Sequence, residues 1–281
     1  MDTQLQAISD QQKESWNRFS GGWKKWNDFN MKFLKPMGDT IIKCLDISDN
    51  DIVLDIASGT GEPAFTIAAL AKNGKVYATD VAAQMLDIAK EMAGQYNLQN
   101  IEFAVTDVSE LPFDSDFFDK ISCRMGFMFF PDMQLAANEM FRVCKSGGKI
   151  ATSVWASPEN NEWVTTVMKI LSKNIEMPQP PPEAPGMFRC AKPGLIKEFF
   201  ENAGFKDIKE ETISGKVDYG TADVYWECMN DVAAPVVGAL SKASDATKKK
   251  IKDDLFEVCN SMLTNNSLAM NYSATIISGI K

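Results

Sequence analysis

Three aspartates in this 281-residue chain stand where an apolar run gives way to a turn. Asp55 closes the run 51–56 and is followed by Ala57-Ser58-Gly59-Thr60-Gly61, then by the amphipathic run 64–71. Asp80 ends Lys75-Val76-Tyr77-Ala78-Thr79, and Asp107 follows the strand-like run 100–105. Strand, glycine-rich turn and helix open a nucleotide-binding α/β unit. The dinucleotide version needs a third glycine and sets a pyrophosphate on the helix N-terminus. Here the third glycine is missing, and an acid precedes the turn. A carboxylate there repels a pyrophosphate but suits an ammonium, directly or through water. Asp80 lies 25 positions after Asp55, near the ~20-residue offset at which a second-strand acid grips ribose hydroxyls. Two vicinal hydroxyls donating to one carboxylate make a charge-assisted, selective pair. Asp107, within Thr106-Asp107-Val108, is placed to accept from an adenine amine or to cap a turn.

The elements that must position these acids alternate along the chain. Strand and helix signals fall at 51–56, 63–72, 75–80, 83–95, 101–105, 117–123, 132–143 and 148–155. Alternation of this kind means a parallel sheet with helices on both faces. Ligands bind such sheets at the carboxyl ends of the strands, near the topological switch point. All three acids fall there. Val81 and Val108 are placed to sandwich a purine with Met85 beside them, or to pack simply in the core.

These residues resemble the class I S-adenosylmethionine-dependent methyltransferases, and most closely the small-molecule branch that includes the ubiquinone/menaquinone C-methyltransferase-like proteins. The carrying residues are Leu54-Asp55-Ile56-Ala57-Ser58-Gly59-Thr60-Gly61, Thr79-Asp80, and Asp107-Val108 followed by Leu111-Pro112-Phe113. Phe118 to Arg124 and Arg142 to Lys149 complete the set, so the likeness covers roughly residues 51–155. Ala57-Ser58 and Ser146 depart from the common pattern, but both replacements are small enough to let a ligand reach the backbone. The resemblance implies S-adenosyl-L-methionine as cofactor and a doubly wound, seven-stranded, mostly parallel Rossmann-like sheet with an antiparallel last strand. Asp55, Ala57, Ser58, Gly59 and Gly61 then hold the methionyl part, Asp80 the ribose, and Thr106, Asp107 and Val108 the adenine, with Val81 and Met85 also expected at the cofactor. The backbone near Cys123 and Arg124 is expected against the methionyl group. Arg124 pairs either with its carboxylate or with an acid such as Asp55.

Composition narrows the chemistry. The chain has no histidine, which removes the imidazole base, the Ser-His and Cys-His pairs and the histidine metal sites. Methyl transfer from a sulfonium fits this constraint, because alignment of nucleophile and methyl carbon does most of the work. The net charge of −9 disfavours nucleic acid and anionic membranes as partners. The one basic run, Lys248-Lys249-Lys250 with Lys252, adjoins Asp253 and Asp254 and reads as a solvated helix face. No apolar run approaches the ~20 residues of a membrane span, and Met1 to Lys13 carries no apolar signal core. A cytoplasmic protein with a small-molecule acceptor, no metal and six reduced cysteines is expected.

Two domains of labour follow. Residues 1–46 form an N-terminal helical segment whose stripe of Trp16, Phe19, Trp23 and Trp26 is interrupted at Gly21-Gly22. It serves either as a lid hinged at those glycines or as plain packing on the sheet. Residues 47–281 form the methyltransferase domain, with the cofactor half at 51–155, substrate-selecting elements and a helical insertion at 156–265, and a final edge strand at 267–280. The Pro-rich stretch 177–186 reads as a stiff lid loop or a connector. The run Met125 to Phe130 lines an apolar pocket or the core. Trp23, Phe127, Phe188, Arg189, Tyr225 and Trp226 are the candidate acceptor contacts. The alternatives to a transferase are a cofactor-binding pseudoenzyme and an NAD-dependent oxidoreductase, and the missing third glycine argues against the latter.

Overall fold

Apolar side chains alternate between two faces along the first strands, and that alternation builds the molecule. In the computed structural model, which describes residues 3–177, 181, 184–241 and 243–281, β1 (Ile52–Ile56) turns Val53 toward one face and Leu54 toward the other. β2 (Lys75–Asp80) does the same with Val76 and Tyr77. Sheet strands with both faces covered carry such continuous apolar runs. The strand order is β3-β2-β1-β4-β5-β7-β6. Parallel pairing joins β3 (Ile101–Val105), β2, β1, β4 (Phe118–Arg124) and β5 (Cys144–Trp155), and antiparallel pairing adds β7 (Ala269–Ile280) and β6 (Lys206–Asp218). The order reverses between β1 and β4, which sets the switch point beside Asp55.

The expected edge position of the last strand is corrected. β7 lies between β5 and β6, and β6 is the edge. The reason is polarity: β7 carries buried Met270, Tyr272, Ala274, Ile276 and Ile277. β6 exposes Lys209, Glu210 and Glu211, the charges that keep an edge from pairing further.

Helices fill the layers around the sheet. α3 (Ala64–Leu70) and α4 (Ala83–Gln95) pack on β2 and β3; α5 (Met133–Val143) and α7 (Leu195–Ala203) pack together. α6 (Glu162–Asn174) packs on β7. Within the expected helical insertion, α8 (Ala222–Val232) and α9 (Ala234–Ser241) are separated at Ala233, and α10 (Asp245–Ser261) follows. Thr221 and Ser244 cap α8 and α10 by accepting from Val224 N and Thr247 N.

The N-terminal segment is also two helices, α1 (Thr3–Lys25) and α2 (Asn27–Leu45), broken at Trp26 rather than at the glycines. Gly21 and Gly22 are helical. Gly22 is required by contact, since a Cβ there would lie 2.0 Å from the Asp231 carbonyl oxygen on α8. Lys25 Nζ and Trp26 Nε1 both donate to Asp231, at 2.7 and 2.8 Å. α1 also reaches α4, where Asn17 Oδ1 accepts from Gln84 N and Lys24 pairs with Glu91. α2 packs across β4, β5 and β7.

Candidate functional site

The turn after β1 is shaped for close approach of a ligand. Ala57 and Gly59 both have φ of 55°, and Gly61 has φ of 118°. A non-glycine residue in the left-handed region is held there by its surroundings and often marks a site. A Cβ on Gly61 would sit 1.9 Å from the Phe65 ring, whereas around Gly59 nothing lies within 4 Å. The backbone at Gly59 therefore faces open space. The turn is pinned to β2: Ser58 N donates to Thr79 O at 3.0 Å, and Gly59 N donates to Asp80 Oδ2 at 2.9 Å. The other Asp80 oxygen accepts from Ala82 N at 2.9 Å. Burial raises the Asp80 pKa, and these backbone donors hold it down.

A cavity of about 350 Å³ opens at the carboxyl ends of β1 to β5, within the usual ~300–1,000 Å³ range for small-molecule sites. Its wall follows the sheet order. Thr106, Asp107 and Val108 follow β3, Asp80 and Val81 stand at the end of β2 with Met85 beyond them on α4, and Ala57, Ser58 and Gly59 follow β1. Arg124, Met125 and Gly126 come from β4, and Trp155 from β5. One face of α1 closes over it with Ser9, Gln12, Ser15, Trp16 and Trp23, and α2 adds Asn30, Met31, Phe33 and Leu34. Polarity changes along this wall. The end near β3 and β2 is acidic, with Ser9 Oγ donating to Asp107 Oδ2 at 2.5 Å. The end near β5 is aromatic. Phe33 lies 5.7 Å from Trp155 and 5.2 Å from Trp163, and Trp16 lies 5.1 Å from Phe129.

Between the two ends the wall carries the Arg124 guanidinium, and a carboxylate, Asp55, lies buried behind it. Asp55 is fully buried; its Oδ1 accepts from Ser122 Oγ at 2.5 Å and its Oδ2 has no partner among the described residues. Desolvation pushes its pKa to about 6, against the Ser122 and Ser58 hydroxyls and the charge of Arg124. Arg124 makes one hydrogen bond among the described residues, to Met31 Sδ at 3.4 Å. Burial lowers its pKa, and attraction from Asp55 and Glu62 opposes that. The two groups attract without forming an ion pair.

Not every expected residue reaches the wall. Asp55, Gly61 and Cys123 lie behind it. Cys123 is fully buried, its thiol pushed up to about 12 by desolvation. Gly126 lets the β4 loop pass, since a Cβ there would meet Ala57 Cβ at 2.5 Å. Among the six candidate acceptor contacts only Trp23 lines the cavity. Phe127 is core, 5.4 Å from Phe130 and 5.7 Å from Phe200. Phe188 and Trp226 pack on the core. Tyr225 is fully buried with its hydroxyl on Trp163 O at 2.8 Å, and burial raises its pKa. Arg189 Nη1 donates to Phe130 O at 2.5 Å, so its guanidinium braces the loop beside the cavity. Of the Pro-rich stretch, Pro185 and Gly186 line the wall, while 178–180, 182 and 183 lie outside the described residues. Lys249 and Lys250 pair with Asp253 and Asp254 one turn on, as a solvated helix face does. Sequence reasoning missed Ser9, Asn30, Phe33, Trp155 and Trp163. Only Trp155 carried a signal, its place at the end of the fifth strand.

Fold and site together define a class I methyltransferase whose methyl donor is S-adenosyl-L-methionine. The chain belongs to the ubiE/COQ5 methyltransferase family, whose pattern matches residues 21–179. A demethylmenaquinone methyltransferase of Oceanobacillus iheyensis is 29% identical over 188 residues, covering 63% of this chain and 78% of the relative. An uncharacterized protein of Mycobacterium tuberculosis is 26% identical over 246 residues, 86% of each chain. The crystal structure of the YcgJ protein from Bacillus subtilis superposes with a TM-score of 0.60 at 20% identity, covering 87% of this chain and 97% of that one. No helix among the described residues is long and apolar enough to cross a membrane.

Proposed function

We propose that this protein transfers a methyl group to a flat, largely apolar small molecule held at the aromatic end of the cavity. The observation that carries the reading is the change in polarity along the wall, from Asp107 and Asp80 at one end to Phe33, Trp155 and Trp163 at the other. Bound S-adenosyl-L-methionine supplies an activated methyl group. The residues present fit it: the unpartnered Asp55 oxygen suits the ammonium, Arg124 the carboxylate, the open backbone at Gly59 the chain between them, Asp80 the ribose and Asp107 the adenine. α1 serves as a cover whose polar half, Ser9, Gln12 and Ser15, closes on the donor and whose aromatic half, Trp16 and Trp23, closes on the acceptor.

The role of the chain at the acceptor end is to align and to exclude water. Phe33, Trp155, Trp163 and Phe129 offer flat faces and no proton acceptor of useful basicity. The nucleophile therefore brings its own lone pair, as a neutral amine, an ionised phenol or quinol, or a soft sulfur or selenium atom. The test is incubation with S-adenosyl-L-methionine and panels of amines, phenols, quinols and thiols, with methylated product read by mass spectrometry. Product from a flat aromatic member is expected. Asp80→Ala should weaken donor binding by about 1.5–3 kcal/mol through loss of a charge-assisted pair. Transfer confined to charged, non-aromatic acceptors overturns the reading, and unchanged donor affinity in Asp80→Ala overturns the ribose assignment.

A further inference from the structure

We propose that Trp23 and Asn30 hold an oxygen atom of the acceptor. The inference rests on the flat-acceptor reading above and adds the polar recognition that reading lacks. Trp23 Nε1 and Asn30 Nδ2 are buried and have no hydrogen-bond partner among the described residues. Both residues line the cavity. Folded proteins leave few buried N–H groups unmet, because each unmet donor forfeits its hydration without return. Two such donors on consecutive helices of one cavity wall are best explained by a ligand that accepts from both.

Their neighbours locate that ligand. Trp23 lies 6.1 Å from Trp16, which in turn contacts Phe129. Asn30 precedes Phe33 by one helical turn, and Phe33 packs on Trp155 and Trp163. Trp23 thus belongs to the aromatic end, and Asn30 stands between that end and the methyl donor, since Asn27 one turn before it accepts from Thr60 and Met31 beside it accepts from Arg124. The expected donor contacts at Asp55, Gly59, Asp80, Asp107 and Arg124 come from strand ends, whereas Trp23 and Asn30 come from α1 and α2. An apolar ring wrapped by Phe33, Trp155 and Phe129 slides freely in its plane. One oxygen fixed by two N–H groups stops that motion and presents a single atom to the methyl group. The acceptor class this implies is a ring that carries a carbonyl or hydroxyl oxygen, and a bare hydrocarbon or an ammonium is disfavoured.

The experiment titrates three bicyclic probes, naphthalene, 1-naphthol and 1,4-naphthoquinone, into protein saturated with S-adenosylhomocysteine. Wild type is expected to bind the two oxygen-bearing probes about fivefold to tenfold more tightly than naphthalene, the worth of one or two neutral hydrogen bonds. Trp23→Phe and Asn30→Leu should each shrink that preference while naphthalene affinity and S-adenosylhomocysteine affinity stay within about twofold. In ¹⁵N-tryptophan-labelled wild type, the indole resonance that Trp23→Phe deletes should shift with 1-naphthol and not with naphthalene. That reading uses Trp23→Phe only as a folded reference spectrum, and it holds even where Asn30→Leu fails to fold. Equal affinity of naphthalene and 1-naphthol overturns the assignment while leaving the flat-acceptor reading intact. Loss of S-adenosylhomocysteine binding in a folded variant assigns the donors to the cofactor's carboxylate and also overturns it. Failure of all three probes to bind removes the flat-acceptor reading and this inference with it.

Discussion

At the residue scale, Asp55 is the group whose state the fold most alters. Its pKa of about 6 in the folded chain lies above the usual carboxylate value of 3.8. Below pH about 4 the carboxyl is protonated whether the chain is folded or not, and it adds nothing to stability. As pH rises from about 4 to about 6 the unfolded chain ionises first, so stability falls, by on the order of 2–3 kcal/mol when the change is complete. An ammonium placed against Asp55 favours the ionised form and reverses this preference. S-adenosylhomocysteine should therefore bind more tightly as pH rises from 5 to 7, with a proton released near pH 6. Each unit by which the ligand depresses the pKa adds a factor of about ten. Calorimetry in buffers of different ionisation enthalpy measures both effects. A flat affinity over that range, or the same slope in Asp55→Asn, removes Asp55 from the ammonium site.

At the element scale, the pairing of α1 with α8 turns on two adjacent glycines with opposite demands. Nothing lies within 4 Å of a Cβ built on Gly21, whereas one on Gly22 meets the Asp231 carbonyl. Gly21→Ala should stabilise the protein by about 0.5–1 kcal/mol, since glycine in a helix interior gives up more backbone entropy. Gly22→Ala should destabilise it by about 1–3 kcal/mol through overpacking. Urea unfolding of the two variants measures the contrast, and equal effects would show that α1 does not lie against Asp231. The sequence marks this dipeptide as an interruption of the aromatic stripe and suggests a hinge. The contact that explains Gly22 joins residues about 200 positions apart, beyond what a local pattern encodes. The break falls instead at Trp26, whose indole N–H is drawn to Asp231.

At the scale of the whole molecule, the cavity joins parts that are distant in the chain. Its wall draws on α1, α2, the ends of five strands and the segment at 232–235. Ser9 on Asp107, Asn17 on Gln84 and Lys25 on Asp231 tie α1 to the turn after β3, to α4 and to α8. A ligand that touches several of these elements favours the folded state as a unit. S-adenosylhomocysteine at about 100 times its dissociation constant should add about 2.7 kcal/mol and raise Tm by about 5–10 °C. Scanning calorimetry with and without ligand checks this, and an unchanged Tm at saturation would mean that the ligand binds folded and unfolded chains alike.

The donor half was legible in the sequence because its residues lie at strand ends within one run of alternating elements. Asp55, Gly59, Asp80 and Asp107 could be placed from hydrophobic periodicity and turn glycines, and Arg124 from the family resemblance; the structure sets Gly59, Asp80, Asp107 and Arg124 on one cavity wall with Asp55 buried behind it. The same local rules misplaced the acceptor contacts. Tyr225, Trp226, Phe127 and Phe188 are aromatic like Trp155, Trp163 and Phe33, and of the expected aromatics only Trp23 lines the cavity. Whether an aromatic ring faces a cavity or a neighbouring helix depends on how helices pack across the sheet, and the amphipathic pattern is identical in both cases. The sequence by itself thus determined the sheet, the turn that meets the donor and the absence of a histidine base. Only the tertiary structure decided which aromatics line the cavity, that β7 lies inside β6, and that α1 lies along the cavity wall. Those outcomes rest on contacts between residues far apart in the chain, where side-chain packing chooses among arrangements that the local sequence leaves equal.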